Sequence, residues 1–258
     1  MTETSARRRV LVTGGSRGIG AAVCRRFAAR GDRLAIHCRA DKAAAERLRD
    51  ELPNSDDHVI LVADLADQNA IEPLVDIVVG DIGGIDVFVH SAGVFFDQPV
   101  ATTTFDEWMA SWRQVLEVNL LSAAGLAHRV VGHLLHRPEG PDGGRIVLIG
   151  SRGAYRGEPD APAYGASKAG LHSLAQSLAV AVAPHGIGVA AVAPGFIRTD
   201  MSSAWLAGPA GEAIRAQSPF GRVGEPDEVA AAVEWLASPD STWATGTVID
   251  VNGASYLR

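Results

Sequence analysis

Three side chains in the second half of the chain have the types and spacing needed for proton transfer. Tyr164 and Lys168 lie four residues apart, so they share one face if a helix runs through them. A neighbouring lysine cation lowers the pKa of a phenol from its usual ~10, which makes tyrosine a usable acid or base. Ser151 lies thirteen residues before Tyr164 and directly follows the apolar run 145–150. An isolated Tyr-x3-Lys pair is more often two surface neighbours, but the carboxyl end of a strand, where Ser151 lies, is a common ligand position.

A glycine-rich turn, TGGSRGIG at residues 13–20, follows the apolar run 9–13. Gly14 can take dihedral angles closed to other residues, and Gly18 and Gly20 lack a Cβ, so a diphosphate can approach the following helix. The N–H groups and the positive dipole end of that helix would face the phosphates. The turn therefore predicts a nucleotide site, with a tight strand-to-helix turn as the alternative.

Short apolar runs alternate with helix-length segments along the whole chain. The runs are residues 9–13, 33–38, 58–63, 85–90, 145–150, 187–193 and 247–251, and helical periodicity covers 18–30, 41–51, 67–79, about 104–135, about 163–182 and about 226–237. Strands that are apolar on both faces indicate a parallel sheet covered by helices on both sides. Because no linker or repeat divides the chain, we predict one α/β domain over residues 1–258, with a doubly wound sheet of about seven strands.

The composition excludes several classes of protein. The formal charge of -7 argues against a nucleic-acid partner, and the only basic run, residues 7–9, reads as a solvated flank of the first strand. No apolar stretch is long enough to span a membrane, and no secretory signal is visible. Two cysteines, Cys24 and Cys38, are too few for a disulfide framework, so we expect a cytoplasmic protein. No metal site is predicted.

The spacing TGxxxGxG at 13–20, combined with Ser-x12-Tyr-x3-Lys and the strand order, resembles the short-chain dehydrogenase/reductase family over essentially the whole chain. The resemblance implies a Rossmann-type domain and hydride transfer between a nicotinamide and a ketone or secondary alcohol. It implies that Ser151 holds the carbonyl oxygen and Tyr164 is the acid/base. Lys168 would bond the nicotinamide ribose, and Asn119 would support a water that relays protons.

The same resemblance implies a set of dinucleotide contacts: Gly14, Ser16, Arg17, Gly18, Ile19, Gly20, Arg39, Asp64, Leu65, Ala92, Gly93, Tyr164, Lys168, Pro194, Gly195, Ile197 and Thr199. Asp64 matches a residue beside the adenine, with a helix N-cap as the alternative. Residues 90–93, His-Ser-Ala-Gly, depart from the family's Asn-Asn-Ala-Gly. We interpret His90 as a satisfied structural residue and not as a catalytic one.

The residues after the second strand favour NADP(H) over NAD(H). Members that use NAD place a carboxylate on the ribose 2'-OH, and that position here is Cys38, with Arg39 next to it. Arg39 and Arg17 are suited to charge-assisted hydrogen bonds with a 2'-phosphate. The alternative is that both arginines only face solvent.

The substrate is less well specified by the sequence. Residues 194–218, with Met201, Trp205 and Leu206, would form a partly apolar lid, although a surface helical hairpin is the alternative. Phe95, Phe96 and residues 153–158 would line the other walls, or else pack on one another. Residues 167–201 and 218–238 resemble most the 3-oxoacyl-acyl-carrier-protein reductases of this family.

Two positions argue against a substrate that is attached to an acidic carrier protein. Asp142 and His185 stand where those reductases usually present arginines, and Asp142 would repel an acidic protein. Free ketones and coenzyme A thioesters stay open, as does a sugar, steroid or small-alcohol dehydrogenase. A dinucleotide sensor without turnover is the alternative from another class. The resemblance also implies a homotetramer or homodimer.

Overall fold

The computed structural model describes residues 7–258, so the first six residues of the predicted domain lie outside the described part. Seven parallel strands form one sheet in the order β3-β2-β1-β4-β5-β6-β7. The strands are β1 Arg9–Thr13, β2 Arg33–Cys38, β3 Val59–Val62, β4 Val87–His90, β5 Arg145–Ile149, β6 Gly188–Pro194 and β7 Val248–Val251. The order reverses between β1 and β4, as in doubly wound sheets, so the predicted fold class is confirmed.

Ten α-helices connect and cover these strands within residues 7–258. They are α1 Gly18–Ala29, α2 Lys42–Glu51, α3 Ile71–Ile82, α4 Phe105–Leu116, α5 Ser122–His136, α6 Gly153–Arg156, α7 Pro162–Val182, α8 Asp200–Ala207, α9 Gly211–Arg215 and α10 Pro226–Leu236. In this part of the chain no helix is both long and apolar enough to cross a membrane.

Both faces of the sheet are buried because side chains alternate along each strand. Leu11 of β1 joins a core that includes apolar residues of α3, α5 and α7. Its neighbours Val10 and Val12 join a second core with α1, α2 and α10. Parallel pairing of all seven strands brings their carboxyl ends to one edge, where Thr13, His90 and Ile149 end β1, β4 and β5.

Two predicted features differ in the structure. The helix expected over about 104–135 is interrupted by a π-helical segment, Glu117–Leu121, which separates α4 from α5. The basic run expected to be a solvated flank forms ion pairs, since Arg8 meets Asp32 at 3.0 Å and Arg9 meets Asp86 at 2.8 Å. These pairs fasten the start of β1 to the chain around β2 and β4.

Candidate active site

Helix α7 positions the predicted acid–base pair at the carboxyl edge of the sheet. Pro162 occupies the first turn, where its missing N–H costs no hydrogen bond. The Lys168 ammonium lies 5.7 Å from the centre of the Tyr164 ring and donates a hydrogen bond to the Ile149 carbonyl oxygen at 2.8 Å. Ile149 ends β5, so this bond ties the helix to the strand that precedes Ser151.

The Ser151 hydroxyl accepts a hydrogen bond from the Gly153 amide at 3.0 Å and faces the Tyr164 phenol. Burial raises the pKa of Tyr164 to about 12, and the Ser151 hydroxyl opposes that rise. Burial also lowers the pKa of Lys168 to about 8. The sequence predicts that Lys168 lowers the pKa of the phenol. The net shift of the Tyr164 pKa is instead upward, because desolvation of the phenol is the largest influence.

Asn119 lies inside the π-helical segment and anchors the loop after β4. Its side chain accepts a hydrogen bond from the Val94 amide at 2.8 Å and donates to the Val94 carbonyl at 3.0 Å and to Ser167 Oγ at 3.1 Å. A π-bulge is frequent at functional sites because it redirects side chains within a helix. Asn119 and Lys168 converge on Gly93, where an added Cβ would lie 3.4 Å from Asn119 Oδ1 and 3.5 Å from Lys168 Nζ.

The glycine turn packs against the end of β4 so tightly that side chains are excluded. Gly14 has a φ of +64°, and a Cβ on it would lie 2.8 Å from the Ala92 backbone. A Cβ on Gly20 would overlap the Gly14 carbonyl oxygen. Gly18, with a φ of +55°, faces Thr199 across the site, since a Cβ would come within 3.2 Å of the Thr199 methyl. Two distant predicted segments therefore meet at the start of α1.

Two buried histidines, His37 and His90, form hydrogen bonds at this edge of the sheet. His37 Nδ1 accepts a hydrogen bond from the Gly14 amide at 3.3 Å, and its Nε2 pairs with the Ala63 carbonyl at 3.0 Å. His90 Nδ1 pairs with Thr13 Oγ1 at 3.0 Å, while its buried Nε2 has no hydrogen-bond partner in the described residues. Burial lowers the pKa of His90 to about 3. The expectation that His90 is a satisfied residue therefore holds for only one of its two nitrogens.

The residues expected around the adenosine differ in exposure. Cys38 is buried in the second core, whereas Arg39 and Arg17 are exposed and form no ion pair in the described chain. The exposed Asp64 accepts a hydrogen bond from the Ala66 amide at 3.0 Å, which is a turn and not a helix cap. The Leu65 side chain lies in the first core. Only its backbone remains available to a ligand.

Ser16 and Ile19 are half-buried in the glycine turn, and Ile19 packs on the second core. After β6, Pro194 is buried, and a Cβ on Gly195 would approach the Asn252 backbone at 3.0 Å. Ile197 is also buried and pairs with Gly224 through an isolated β-bridge. The remaining predicted contacts thus lie along the same carboxyl edge.

The segment expected to be a lid forms two short helices, α8 and α9, beyond β6. Trp205 of α8 packs edge-on against Phe95 at 4.8 Å between ring centres, and Phe95 lies 5.0 Å from Tyr164. The aromatic row ties the segment to the acid–base residues. Met201 is nearly half exposed, so its side chain is not packed into this row.

Two charged residues lie near the Ser151–Gly153 turn: Arg152, which the sequence analysis did not single out, and Glu158, which belongs to the predicted wall 153–158. Arg152 is 3% exposed, and Gln217 of the segment after α9 accepts a hydrogen bond from its Nη2 at 2.5 Å. The half-buried Glu158 lies against Gly153 and raises the pKa of Tyr164. Its own pKa is raised by burial. Arg152 directly follows Ser151, and this position next to a predicted catalytic residue is the one sequence feature that indicates a place near the site.

Asp142 and His185 lie away from this site. They precede β5 and β6, at the amino ends of the strands, and both are exposed. A Cβ on Gly186 would overlap the Asp142 carboxylate, so the Asp142 side chain lies against the turn next to His185. Within residues 7–258 no group of three or more His, Cys, Asp or Glu side chains is arranged to hold a metal ion.

A seven-stranded doubly wound sheet with a glycine turn after its first strand defines the class of dinucleotide-binding α/β oxidoreductases. The sequence matches the family described as enoyl-(acyl carrier protein) reductase over residues 14–254. The chain belongs to the short-chain dehydrogenase/reductase family, which confirms the resemblance found in the sequence.

Similar proteins carry different activities. The 3-oxoacyl-[acyl-carrier-protein] reductase of Vibrio cholerae is 34% identical over 247 residues, which cover 96% of both chains. The 3beta-hydroxysteroid dehydrogenase 1 of Eggerthella lenta is 33% identical over 250 residues, which cover 96% of this chain and 93% of that one. A short chain dehydrogenase from Burkholderia cenocepacia, solved in complex with NADP, has a TM-score of 0.87 at 32% identity and covers 98% and 99% of the two chains.

Proposed function

We propose that the chain is an NADP(H)-dependent reductase that converts a ketone to a secondary alcohol, or the reverse. The observation that carries the proposal is the convergence of Ser151, Tyr164 and Lys168 beside the glycine turn. A sensor of the dinucleotide would need the glycine turn but would have no use for a serine and a phenol facing each other at its edge.

The dinucleotide fits the residues present. The turn at Gly14 and Gly20 leaves no room for side chains, and the start of α1 offers free N–H groups to phosphates. Arg17 and Arg39 would hold a 2'-phosphate, since both are exposed and carry no competing carboxylate. The bound nicotinamide supplies the hydride. The Burkholderia relative crystallised with NADP supports the same coenzyme here.

The chain's own residues would manage the proton. At neutral pH the Tyr164 phenol holds its proton and can donate it to the oxygen of the reacting ketone, although burial raises its pKa to about 12 and so makes it a weaker acid. The Ser151 hydroxyl is the second donor to that oxygen. Asn119 would keep the Val94 loop in place beside Lys168.

The test is the NADPH absorbance change with a panel of ketones, run in parallel with NADH. Tyr164→Phe should abolish turnover while dinucleotide binding, measured by fluorescence titration, is kept. Tyr256→Phe is the matched control, since the one hydrogen bond of its hydroxyl within residues 7–258 goes to the Tyr155 carbonyl, at 3.4 Å. If Tyr164→Phe turns over ketones as well as the unaltered protein, the assignment of the acid is wrong.

Substrate class and assembly are part of the proposal. The Vibrio relative supports a 3-oxoacyl thioester and the Eggerthella relative a steroid, so both belong in the panel. We also propose a homotetramer or homodimer, with light scattering as the test, and a cytoplasmic location. The free, buried Cys24 and Cys38 support a reducing compartment.

A further inference from the structure

Arg152 is a buried cation directly beside the proposed donor Ser151. Its amide donates to the Pro194 carbonyl at 3.0 Å, which fixes the backbone against the end of β6. The guanidinium lies 5.1 Å from the centre of the Phe196 ring, and its Nη2 donates to Gln217. The Nη1 group is buried and has no hydrogen-bond partner among residues 7–258.

The charges around Arg152 do not neutralise it. Within the described residues no carboxylate oxygen lies within 4.0 Å of its guanidinium. Glu228 is held by Arg222 at 2.7 Å, and Asp250 by Arg258 at 2.9 Å.

The remaining charged neighbours of Arg152 are Glu158 and Arg156. Glu158 has an attractive influence but makes no ion pair in the described chain, and Arg156 adds a second cation that donates to the same Gln217 oxygen at 3.2 Å. Buried charges are normally paired, because removing an ion from water is costly. An unpaired guanidinium at this position therefore needs an explanation.

A cavity of about 160 Å³ opens beside this guanidinium, at the carboxyl ends of β6 and β7. Its wall includes Arg152, Phe196, Ser218, Asn252 and Gly253. A protein cavity of ~150 Å³ holds a molecule the size of benzene. The space has room for a carboxylate with a few carbon atoms. Its wall also includes Arg222, Glu228 and Asp250, and both carboxylates are held in ion pairs, Glu228 with Arg222 and Asp250 with Arg258.

We propose that Arg152 binds the carboxylate of a short oxo acid whose ketone is reduced at Ser151 and Tyr164. The inference rests on the proposed function and names its substrate class. Arg152 directly follows Ser151 in the chain, so the test varies the number of carbon atoms between the carboxylate and the ketone. The planar guanidinium matches a carboxylate and keeps its charge when buried.

The experiment compares oxo acids with their methyl esters, in NADPH, on the full chain. The probes are 2-oxopropanoate, 3-oxobutanoate and 4-oxopentanoate, which differ in the distance between carboxylate and ketone. For at least one length we expect kcat/KM for the acid to exceed that for the ester by tenfold to a hundredfold, roughly the strength of a hydrogen bond to a charged group.

Arg152→Met should remove this preference, mainly through KM, so that kcat/KM for the acid falls to the value for its methyl ester. Arg152→Lys keeps the charge and should retain part of the preference. Arg25→Met is the control, because Arg25 is an exposed residue of α1 that pairs with Glu51. Circular dichroism checks that each variant is folded.

A second measurement separates this inference from the proposed function. The same acids should raise the midpoint of thermal unfolding of the unaltered protein and of Arg25→Met, but not of Arg152→Met. If no ketone is reduced while the acids still stabilise the protein, the reductase assignment fails and the carboxylate site stands. If acids and esters are reduced equally well before and after Arg152→Met, the carboxylate site is refuted and the reductase stands.

Discussion

Replacing His172 by leucine should make the protein less sensitive to acid. His172 lies on α7, one turn after Lys168, and is 4% exposed. Within the described part of the chain neither imidazole nitrogen has a hydrogen-bond partner, and the ring packs on Tyr155 with 4.9 Å between ring centres. Burial, with smaller contributions from Lys168 and Arg258, lowers the pKa of His172 from 6.5 to about 4, against an opposing influence from Asp250.

The sign of the effect follows from proton binding. In the unfolded chain the His172 imidazole gains a proton near pH 6.5, whereas in the folded chain it stays neutral until about pH 4. The contribution of the neutral His172 to the free energy of unfolding is therefore fully present above pH 6.5 and is lost as the pH falls from about 6.5 to about 4. Over the whole window the loss is about 3 kcal/mol, and between about pH 7.5 and about pH 5.5 it is roughly 1.3 kcal/mol.

The assay is thermal unfolding of the unaltered protein, His172→Leu and the control His128→Leu, whose side chain is exposed on α5. A difference of roughly 1.3 kcal/mol corresponds to about 3–5 °C for a chain of this size. The acid-induced fall in Tm should be smaller by that amount in His172→Leu. It should not vanish, since burial also lowers the pKa of His90. An equal fall in Tm in all three proteins would refute the prediction that the buried His172 imidazole is neutral in the folded chain.

Two further predictions concern the dinucleotide. Arg39→Asp should shift the ratio of kcat/KM for NADPH and NADH towards NADH, because a carboxylate repels a 2'-phosphate and accepts from a 2'-OH; an unchanged ratio would exclude Arg39 as a phosphate contact. Gly20→Ala should abolish dinucleotide binding in a fluorescence titration, since its Cβ would overlap the Gly14 carbonyl oxygen. Gly80→Ala is its matched control, because a Cβ at this position on α3 meets open space and should stabilise the helix by up to about 1 kcal/mol.

The sequence was sufficient for the sheet and for the positions at its carboxyl edge. Parallel strands buried on both faces leave continuous apolar runs, and every run predicted one of the seven strands. Hydrophobic periodicity could not reveal the π-helical segment at Asn119, because one extra residue in a turn hardly changes the pattern of apolar positions. Its consequence, the amide directed at Val94, depends on the backbone geometry.

Burial of polar residues was the other property that sequence reasoning missed. Arg152 lies in a loop-like segment, where an arginine usually faces water, and only the fold shows that β6 and Gln217 enclose it. His172 left a usable signal. It falls at helical spacing between the buried residues Lys168, Ala175 and Ala179 of α7, so the periodicity already places the imidazole inside.

Desolvation, which keeps His172 neutral, also shifts the pKa values of the proposed acid–base pair. It moves the pKa of Tyr164 up to about 12 and that of Lys168 down to about 8, so the proton resides on the phenol at neutral pH. In the proposed reduction the phenolate left after donation needs a stabilising partner. The Lys168 ammonium lies 5.7 Å from the centre of the Tyr164 ring and has three donor hydrogens, so its charge can stabilise the phenolate while one hydrogen still bonds the Ile149 carbonyl.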